Sequence, residues 1–418
     1  MLSVVVSAVV ARTLSVEEFG VYSFVVAAIL FGRRFVSAGL DGILTQSLIE
    51  SPAHTPRLLT MAVVIRAAWG AMTATAILAY LLSSEVVAGT TALLLAAGLI
   101  GNIALCAEVI DNKFQADEAA GVPAKARTLA WFIISAAQII VLLAGGRAAP
   151  LLATQAAYPV VYAVILFVVG TRHGLGIRHL AWSLETARRL ISDAWPLLIS
   201  ALGAAVYVKF GSVMLGLLAP ANEVAIYAIA AQLVDVWHIF PPLMVAALFP
   251  RLIRLNISDK TAFKETVSSL FALLFNAGVL VCVGYWLAVG TVIDNVFGAR
   301  YTSAALVASI LVLTVPFAAW GALLSRMIIT ERAITFSITR HLAGGCVGLL
   351  SSWLLIPQWG AVGAAVGAVS AFTVACYIAV WADRRMRPYA SLMIRNIFKP
   401  RTTTARCIAL MRSSHEHT

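Results

Sequence analysis

Residues 191–254 decide how the chain is interpreted: ISDAWPLLISALGAAVYVKFGSVMLGLLAPANEVAIYAIAAQLVDVWHIFPPLMVAALFPRLIR. They contain two apolar runs, each long enough for a helix to cross the roughly 30 Å hydrocarbon core of a bilayer. The first run carries Lys209, and the second carries Asp235 and His238. Ionisable side chains are costly inside hydrocarbon, so each of these three needs a partner, water or a function.

The composition indicates that the same pattern extends over the whole chain. Of the 418 residues, 61% are hydrophobic and only 12% are charged, which is about half the charged fraction of a soluble domain. The net charge of +11 does not indicate nucleic-acid binding, because the basic residues lie in short loops between apolar runs, as in membrane proteins. The five cysteines have no spacing typical of a metal site or disulfide, and we expect no cofactor.

Twelve apolar runs are found along the chain, six before and six after the polar residues 171–189. This pattern predicts an all-α membrane protein with about twelve transmembrane helices in two six-helix lobes. The first run has about ten residues, or roughly 15 Å of helix, which predicts that the natural first helix is truncated in this chain. The runs lie approximately at residues 2–12, 19–45, 58–82, 86–111, 126–146, 149–170, 190–218, 223–249, 267–292, 304–329, 335–356 and 360–382.

The chain accordingly divides into four parts. These are an N-terminal lobe at 1–170, a cytoplasmic amphipathic linker at 171–189, a C-terminal lobe at 190–382 and a basic cytoplasmic tail at 383–418. The linker is predicted to lie on the membrane surface and to join the lobes. The tail is expected either to rest on anionic lipid or to be disordered. Its apolar side chains are Leu392, Met393, Ile394, Ile397 and Phe398.

The basic residues predict the orientation of the chain. If the N-terminus is cytoplasmic, three arginines fall in outer loops and sixteen basic residues fall in inner segments, and this bias alternates loop by loop. Both termini are therefore predicted to be cytoplasmic. The outer arginines are Arg12, Arg147 and Arg300. The inner residues are Arg57, Lys113, Lys125, Arg127, Arg172, Arg178, Arg188, Arg189, Arg251, Arg254, Lys260, Lys264, Arg332, Arg384, Arg385 and Arg387.

Several short motifs resemble one family of membrane proteins. They include residues 18–22 (EFGVY), 207–216 (YVKFGSVMLG), 232–241 (QLVDVWHIFP), 297–301 (FGARY) and 355–365 (LIPQWGAVGAA). Each motif alone is weak, but their order and spacing resemble the polysaccharide (O-antigen type) flippases. That family is the oligosaccharide flippase branch of the multidrug/oligosaccharidyl-lipid/polysaccharide exporter superfamily, and the similarity covers nearly the whole chain.

The resemblance implies a fold and a function. It implies two lobes around a central cavity, and translocation of undecaprenyl-pyrophosphate-linked oligosaccharide units across the bacterial inner membrane by alternating access, for surface polysaccharide biosynthesis. The implied partners are the lipid-linked glycan, membrane lipids and a polysaccharide polymerase or chain-length machinery. The chain departs from the family at Gly211, where members often carry Asp, and at Gly348 and Ser352, where they often carry Asn.

Five basic residues inside the apolar runs are candidate contacts for the pyrophosphate. Guanidinium groups suit phosphate because their planar donors can pair with two oxygens at once. The alternative is an ion pair that only holds helices together, either internal, between Arg33 and Asp41 eight residues later, or between two helices. Arg66 could instead extend to the inner membrane surface. The five candidates are Lys209, Arg33, Arg34, Arg66 and Arg340.

A second group of candidates concerns coupling and movement. Asp235 and His238 are three residues apart and share a helix face, so they could pair with Lys209 or take up a coupling proton. Asp41 belongs to the same group of coupling or ion-pair residues. The adjacent Pro241 and Pro242 remove two backbone donors and predict a kink that could serve as a hinge.

Three further charged residues are expected to have ordinary structural roles. Glu108 and Asp111 lie near the inner end of the fourth run, where we expect them to be solvated or paired with Lys113 or Lys125. Arg326 is expected to reach the membrane surface as an anchor.

Other functions remain open at this point. A drug or cation antiporter of the same superfamily would need an acidic interior, whereas the deep charges here are mostly basic. A polysaccharide polymerase or ligase would carry a large outer loop, and the longest outer connection, 291–304, is short. A non-transporting scaffold should lack paired deep charges. The sequence contains no recognisable catalytic set and no phosphate-binding loop, so we expect no enzyme.

Overall fold

The computed structural model describes residues 2–37, 39–83, 89–175, 181–331 and 333–397. Within these ranges the chain is helical, without a strand. The chain forms two compact units, Met1–Ala205 and Val206–Thr418. The prediction of an all-α membrane protein with two lobes is confirmed.

One helix of the N-terminal unit, α2 (Val16–Val36), begins at a capping box. At the start of the second helix, the Ser15 hydroxyl accepts the Glu18 N–H, and the Glu18 carboxylate accepts the Ser15 N–H, each at 3.1 Å. This capping box satisfies two backbone donors that would otherwise lack partners. The described helices that begin in this unit are α1 (Leu2–Thr13), α2 (Val16–Val36), α3 (Leu40–Glu50), α4 (Thr55–Ser83), α5 (Gly89–Gly101), α6 (Val109–Ala116), α7 (Gly121–Leu143), α8 (Ala148–Arg172) and α9 (Leu184–Leu218).

The second apolar run forms two helices because Gly39 interrupts it. Gly39 has φ +71°, a left-handed conformation that favours glycine. A Cβ atom at this position would lie 2.6 Å from the backbone nitrogen of Leu198 in α9. Leu198 follows Pro196, and α9 bends by 42° at this point. The break between α2 and α3 therefore packs directly on the bend of α9.

The C-terminal unit has a hydrophobic core in which Phe271, Trp320 and Met327 are buried. Its longest uninterrupted helix, α12 (Lys260–Val296), is capped by Asp259, whose carboxylate accepts the backbone N–H groups of Thr261 and Ala262. The described helices that begin in this unit are α10 (Ala221–Asp235), α11 (Phe240–Ser258), α12 (Lys260–Val296), α13 (Ala304–Leu311), α14 (Thr314–Thr330), α15 (Ile334–Thr373), α16 (Ala379–Ala382) and α17 (Arg387–Arg395).

Two helices meet end to end within α15, at Gly360. The backbone there is non-helical, with φ +51°. The Glu223 carboxylate of α10 accepts the N–H of Ala361 at 2.7 Å, so it caps the second half of α15 and complements the positive end of the helix dipole. A Cβ on Gly360 would lie 2.4 Å from that carboxylate. This contact ties the start of α10 to the break in α15.

The start of the tail packs on its own unit. Leu392 and Met393 are buried in the core, so the expectation that these two side chains rest on lipid is wrong. The Tyr389 hydroxyl donates to Glu331 at 2.6 Å. Burial, assisted by this bond, raises the pKa of Tyr389 well above its ordinary value, so the hydroxyl remains a donor. Phe398 and the rest of the tail lie outside the described residues.

Among the described residues, nine helices are long and apolar enough to cross a membrane, or ten if the bent pair Leu184–Pro196 and Leu198–Val206 counts as one. Two further runs account for the predicted twelve. One is α1, which has only 12 residues, and the other follows Gly360 within the stretch Thr335–Ala382. The lobe boundaries at 170 and 190 stay predictions. The compact units divide at Ala205, within α9.

Candidate functional site

Arg33 of α2 is held in an ion pair inside the N-terminal unit. Its Nη2 donates to Glu108 Oε1 at 2.8 Å, and its guanidinium lies 5.3 Å from the centre of the Tyr158 ring. Of the two ion pairs left open for Arg33, the structure has the one between helices. The pair with Asp41 is not formed, because the break at Gly39 ends the helical register on which the eight-residue spacing depended. The expectation for Glu108 is also corrected, since its partner is Arg33.

Arg66 of α4 has no exposed surface. Its Nη2 donates to Asp41 Oδ1 at 2.6 Å and to Asn112 Oδ1 at 2.9 Å. Its Nε and Nη1 atoms have no hydrogen-bond partner in the described part of the chain. Arg66 therefore does not extend to the membrane surface, and it uses the charge of Asp41, which is 63% exposed.

A second arginine pair lies on the neighbouring helices. Arg127 of α7 donates to Asp111 Oδ2 at 2.6 Å, and its guanidinium lies 5.6 Å from the centre of the Tyr162 ring. Gln115 Nε2 donates to the other carboxylate oxygen of Asp111 at 3.0 Å. The expected partners of Asp111 are thus wrong. Lys113 instead pairs with Asp117 on the same helix.

Arg34 differs from these arginines because it is exposed. No ion pair to Arg34 is found among the residues that the structure describes. Asp41, at the start of α3, is exposed as well. The unpacked surface of α2 and α3 therefore carries charge along a segment whose length and composition suit a membrane span.

A groove of about 470 Å³ opens beside Asp41. It lies within the N-terminal unit, between α3 and α6. Gln46 donates to Glu50 Oε1 at 2.7 Å on its rim. The groove is lined by Asp41, Gly42, Thr45, Gln46, Ile49, Glu50 and Gln115.

In the C-terminal unit, Asp235 and His238 lie beside a cavity of about 30 Å³, which is room for one or two water molecules. His238 Nε2 is 3.0 Å from the Thr314 hydroxyl, and His238 Nδ1 is 3.8 Å from Asp235 Oδ1. Tyr227 lines the same cavity. Asp235, His238 and Tyr227 thus line one small cavity.

The sequence matches the family model described as "Polysaccharide biosynthesis protein" over residues 1–256, more than half of the chain. This chain belongs to the polysaccharide biosynthesis protein family. A search of curated proteins found no match.

Solved structures show that this family member shares a known transporter fold. The lipid II flippase MurJ, in an inward closed conformation, has a TM-score of 0.70 at 10% identity, with 95% of this chain and 88% of that chain covered. An inward-facing multidrug resistance MATE transporter of the MOP superfamily has a TM-score of 0.66 at 14% identity, with 93% of this chain and 94% of that chain covered. An outward-facing transporter of the same family has a TM-score of 0.58 at 15% identity, with 92% of this chain and 91% of that chain covered. At such identities the likeness shows the fold alone.

Two predicted features of this polysaccharide biosynthesis protein stay predictions: the role of Lys209 and the hinge at Pro241 and Pro242. The side chain of Lys209 is outside the described residues, so its bridge to Asp235 and its role in anion binding stay predictions. Pro241 and Pro242 lie directly after a break between α10 and α11, and their role as a hinge stays a prediction. These prolines lie in the first turn of α11, where their missing N–H groups have no helical partner to lose. The interruption is the single 3-10 turn Trp237–Ile239 just before them.

Among the buried cations that the structure describes, Arg340 and Arg66 both keep donors without a partner, and Arg340 forms no ion pair with a described residue. Its side chain is almost fully buried, and its Nη2 donates to the Ser325 hydroxyl at 2.9 Å. Its Nε and Nη1 have no partner in the described ranges. The guanidinium of Arg326 lies 5.2 Å from the centre of the Phe249 ring, and its role as an anchor at the membrane surface stays a prediction.

The positions at which this chain departs from the resembled flippases lie together. Gly211, Gly348 and Ser352 line a cavity of about 10 Å³ in the C-terminal unit, at the limit of the space for one water molecule. No group of three or more His, Cys, Asp or Glu side chains is placed to hold a metal within the described ranges.

Sequence reasoning missed several polar side chains that build the site. Asn112 is buried, and its Nδ2 donates to the Asp41 carbonyl at 3.0 Å and to the Thr45 hydroxyl at 3.2 Å. Arg127 was assigned to an inner loop, whereas it lies within α7. The available signal was an amide beside Asp111, at the end of an apolar run. Such polar groups need internal partners in lipid.

Proposed function

We propose that this protein moves undecaprenyl-pyrophosphate-linked oligosaccharide units from the cytoplasmic to the periplasmic leaflet of the bacterial inner membrane, with both termini in the cytoplasm. The family match supports a role in polysaccharide biosynthesis. The fold supports transport, because similar structures include a lipid II flippase and multidrug transporters. The implied partners are the lipid-linked glycan, membrane lipids and the polymerase or chain-length machinery.

The observation that carries this proposal is the charged, unpacked surface of α2 and α3. Arg34, Asp41 and Gln46 are exposed there, within an apolar stretch of membrane-spanning length. A charged side chain that faces hydrocarbon costs roughly 3 kcal/mol on insertion scales. We therefore infer that this surface faces water and contacts a polar head group while the lipid tail stays in the bilayer.

The proposed role of each arginine depends on its exposure and its partners. Arg34 is the proposed pyrophosphate contact, because it is exposed. Arg33 and Arg66 are committed to carboxylates and fix the helices around it. Arg340 retains two unbonded donors and becomes an anion contact only if a movement of the C-terminal unit exposes it. Lys209 stays a proposed anion contact on the strength of the sequence.

Replacing Arg34 by Ala is expected to lower transport about tenfold, because one charge-assisted hydrogen bond to phosphate is lost. The measurement is the rate of lipid-linked glycan movement in proteoliposomes, normalised to protein. Arg34→Lys should retain a substantial part of the rate. Arg172→Ala, an exposed arginine at the end of α8, is the matched control. Equal rates for Arg34→Ala and Arg172→Ala would exclude the contact.

Asp235 and His238 are the proposed coupling pair for alternating access. Tyr227 from α10, Thr314 from α14 and Phe372 from α15 line the same cavity, and Tyr227 is a further titratable group beside the pair. An imidazole with an ordinary pKa near 6.5 can gain and lose a proton at physiological pH. The 3-10 turn that carries His238 precedes Pro241 and Pro242, and we propose this segment as the hinge.

A cation or drug antiporter is the second candidate, and one observation favours it. The groove beside α3 carries the carboxylates of Asp41 and Glu50, which would attract a cationic solute. The family match favours polysaccharide over drug transport.

Deletion of the gene, followed by analysis of lipid-linked sugars by leaflet, separates these functions. A flippase predicts that lipid-linked oligosaccharide accumulates on the cytoplasmic leaflet and that surface polysaccharide is lost. An antiporter predicts normal polysaccharide and greater retention of cationic dyes. A polymerase or ligase predicts that single units accumulate on the periplasmic leaflet.

A further inference from the structure

We propose that the groove between α3 and α6 is a subsite for the sugar next to the pyrophosphate, and that it selects neutral or amino sugars over acidic ones. This inference rests on the proposed function and names the class of head group that the protein accepts. The groove of about 470 Å³ lies within the 300–1,000 Å³ range of small-molecule sites.

The polar atoms that the groove offers are mostly acceptors. Carboxylates accept hydrogen bonds and donate none, and both Asp41 and Glu50 line the groove. The amide nitrogens of Gln46 and Gln115 each use one of their two N–H groups, on Glu50 and Asp111 respectively, and keep one further donor. Their carbonyl oxygens remain available. An acceptor-rich surface suits a ligand rich in donors, which describes sugar hydroxyl and amino groups.

The same chemistry argues against phosphate or an acidic sugar in the groove. Asp41 is balanced by Arg66. No basic side chain lines the groove, and no ion pair to Glu50 is found in the described part of the chain. The groove therefore keeps a net negative charge. The carboxylate of a uronic acid would be repelled, whereas an ammonium group would be attracted.

The wall of the groove is fixed from behind by buried side chains. Arg66, which has no exposed surface, holds the Asp41 carboxylate at 2.6 Å. Asn112 is also buried and bonds to the Asp41 carbonyl and to Thr45. Such a wall needs little reordering when a ligand binds. Arg66 also keeps two donors without a partner in the described part of the chain.

The position of the groove fits the order of groups in the proposed substrate. Arg34 lies in the last turn of α2 and Asp41 in the first turn of α3, seven residues apart on either side of the break at Gly39, and seven residues of chain span at most about 25 Å. A pyrophosphate at Arg34 would therefore place the first sugar near the groove. The two exposed surfaces, one cationic and one acceptor-rich, match an anionic linker followed by a polyhydroxylated ring.

The experiment compares three probes in proteoliposomes that contain the full-length protein. The probes are undecaprenyl-pyrophosphate carrying a single hexosamine, neutral hexose or hexuronic acid. Wild type is expected to move the hexosamine about fivefold faster than the hexuronate, as for one exposed charge interaction. Glu50→Gln should reduce this ratio to below about twofold, and Glu50→Lys should reverse it. Glu17→Gln, an exposed residue of α2 outside the groove, should keep the wild-type ratio.

The outcomes distinguish failure of the sugar subsite from failure of the proposed flippase function. Movement of all three probes at similar rates, or a ratio that Glu50→Gln leaves unchanged, overturns the sugar subsite while flipping stands. Faster movement of the hexuronate also overturns it. If no probe moves although a cationic dye does, the proposed function fails and the subsite fails with it. Size-exclusion profiles confirm that each variant is folded, and the ratio is internal to each preparation.

Discussion

Asp41→Ala is expected to destabilise the N-terminal unit by about 3 kcal/mol, because it leaves the buried Arg66 guanidinium without its countercharge. Breaking a buried ion pair typically costs about 3–5 kcal/mol. The lower end of that range applies because Asp41 is 63% exposed, and water in the groove can replace part of its carboxylate. The measurement is the loss of monodisperse protein on heating in detergent, followed by size-exclusion chromatography.

Two further variants make the cause testable. Asp41→Ala combined with Arg66→Met removes the buried charge and keeps most of the side-chain volume, so much of the stability should return. Asp117→Ala removes the carboxylate of an exposed pair with Lys113 and should cost less than about 1 kcal/mol. If the double variant is no more stable than Asp41→Ala, the guanidinium is not the source of the instability.

Gly39→Ala is expected to be at least as damaging. A non-glycine residue in the left-handed region costs about 1–2 kcal/mol. In addition, the new Cβ would lie 2.6 Å from a backbone atom of α9, and a backbone cannot rotate away as a side chain can. We expect little folded protein on expression, measured by fluorescence size-exclusion chromatography of a tagged chain.

Gly42→Ala is the matched control for that experiment. Gly42 lies three residues further along in α3, and no atom is within 4 Å of the Cβ it would gain. Replacing a helical glycine by alanine should stabilise the protein by up to about 1 kcal/mol. Equal yields of the two variants would contradict the tight packing of the α2–α3 break on α9.

The helices were predictable from sequence because hydrocarbon leaves the backbone almost no alternative. A run such as 126–146 must be helical to satisfy its own N–H and C=O groups, and α7 covers most of it. The break at Gly39 was not predictable in the same way. Gly39 lies within a continuous apolar run. A glycine is needed there because the backbone of Leu198, which is distant in sequence, packs against it.

The ion pairs were less predictable than the charges themselves. The free-energy cost of a charged side chain in hydrocarbon correctly indicated that Arg33 and Arg66 need partners. Their partners come from other helices, and the broken register between Arg33 and Asp41 invalidated the choice based on spacing. The groove depends on Gln115 of α6 lying beside α3, which no local pattern encodes.

The most direct measurement of the central claim follows the head group of an undecaprenyl-pyrophosphate-linked hexosamine between leaflets of proteoliposomes. An enzyme that modifies only exposed sugar reports the fraction in the outer leaflet. The account predicts that wild type exchanges the lipid between leaflets far faster than empty liposomes, and that Arg34→Ala is about tenfold slower than wild type. Rates equal to those of empty liposomes, with wild type shown to be folded, would contradict it.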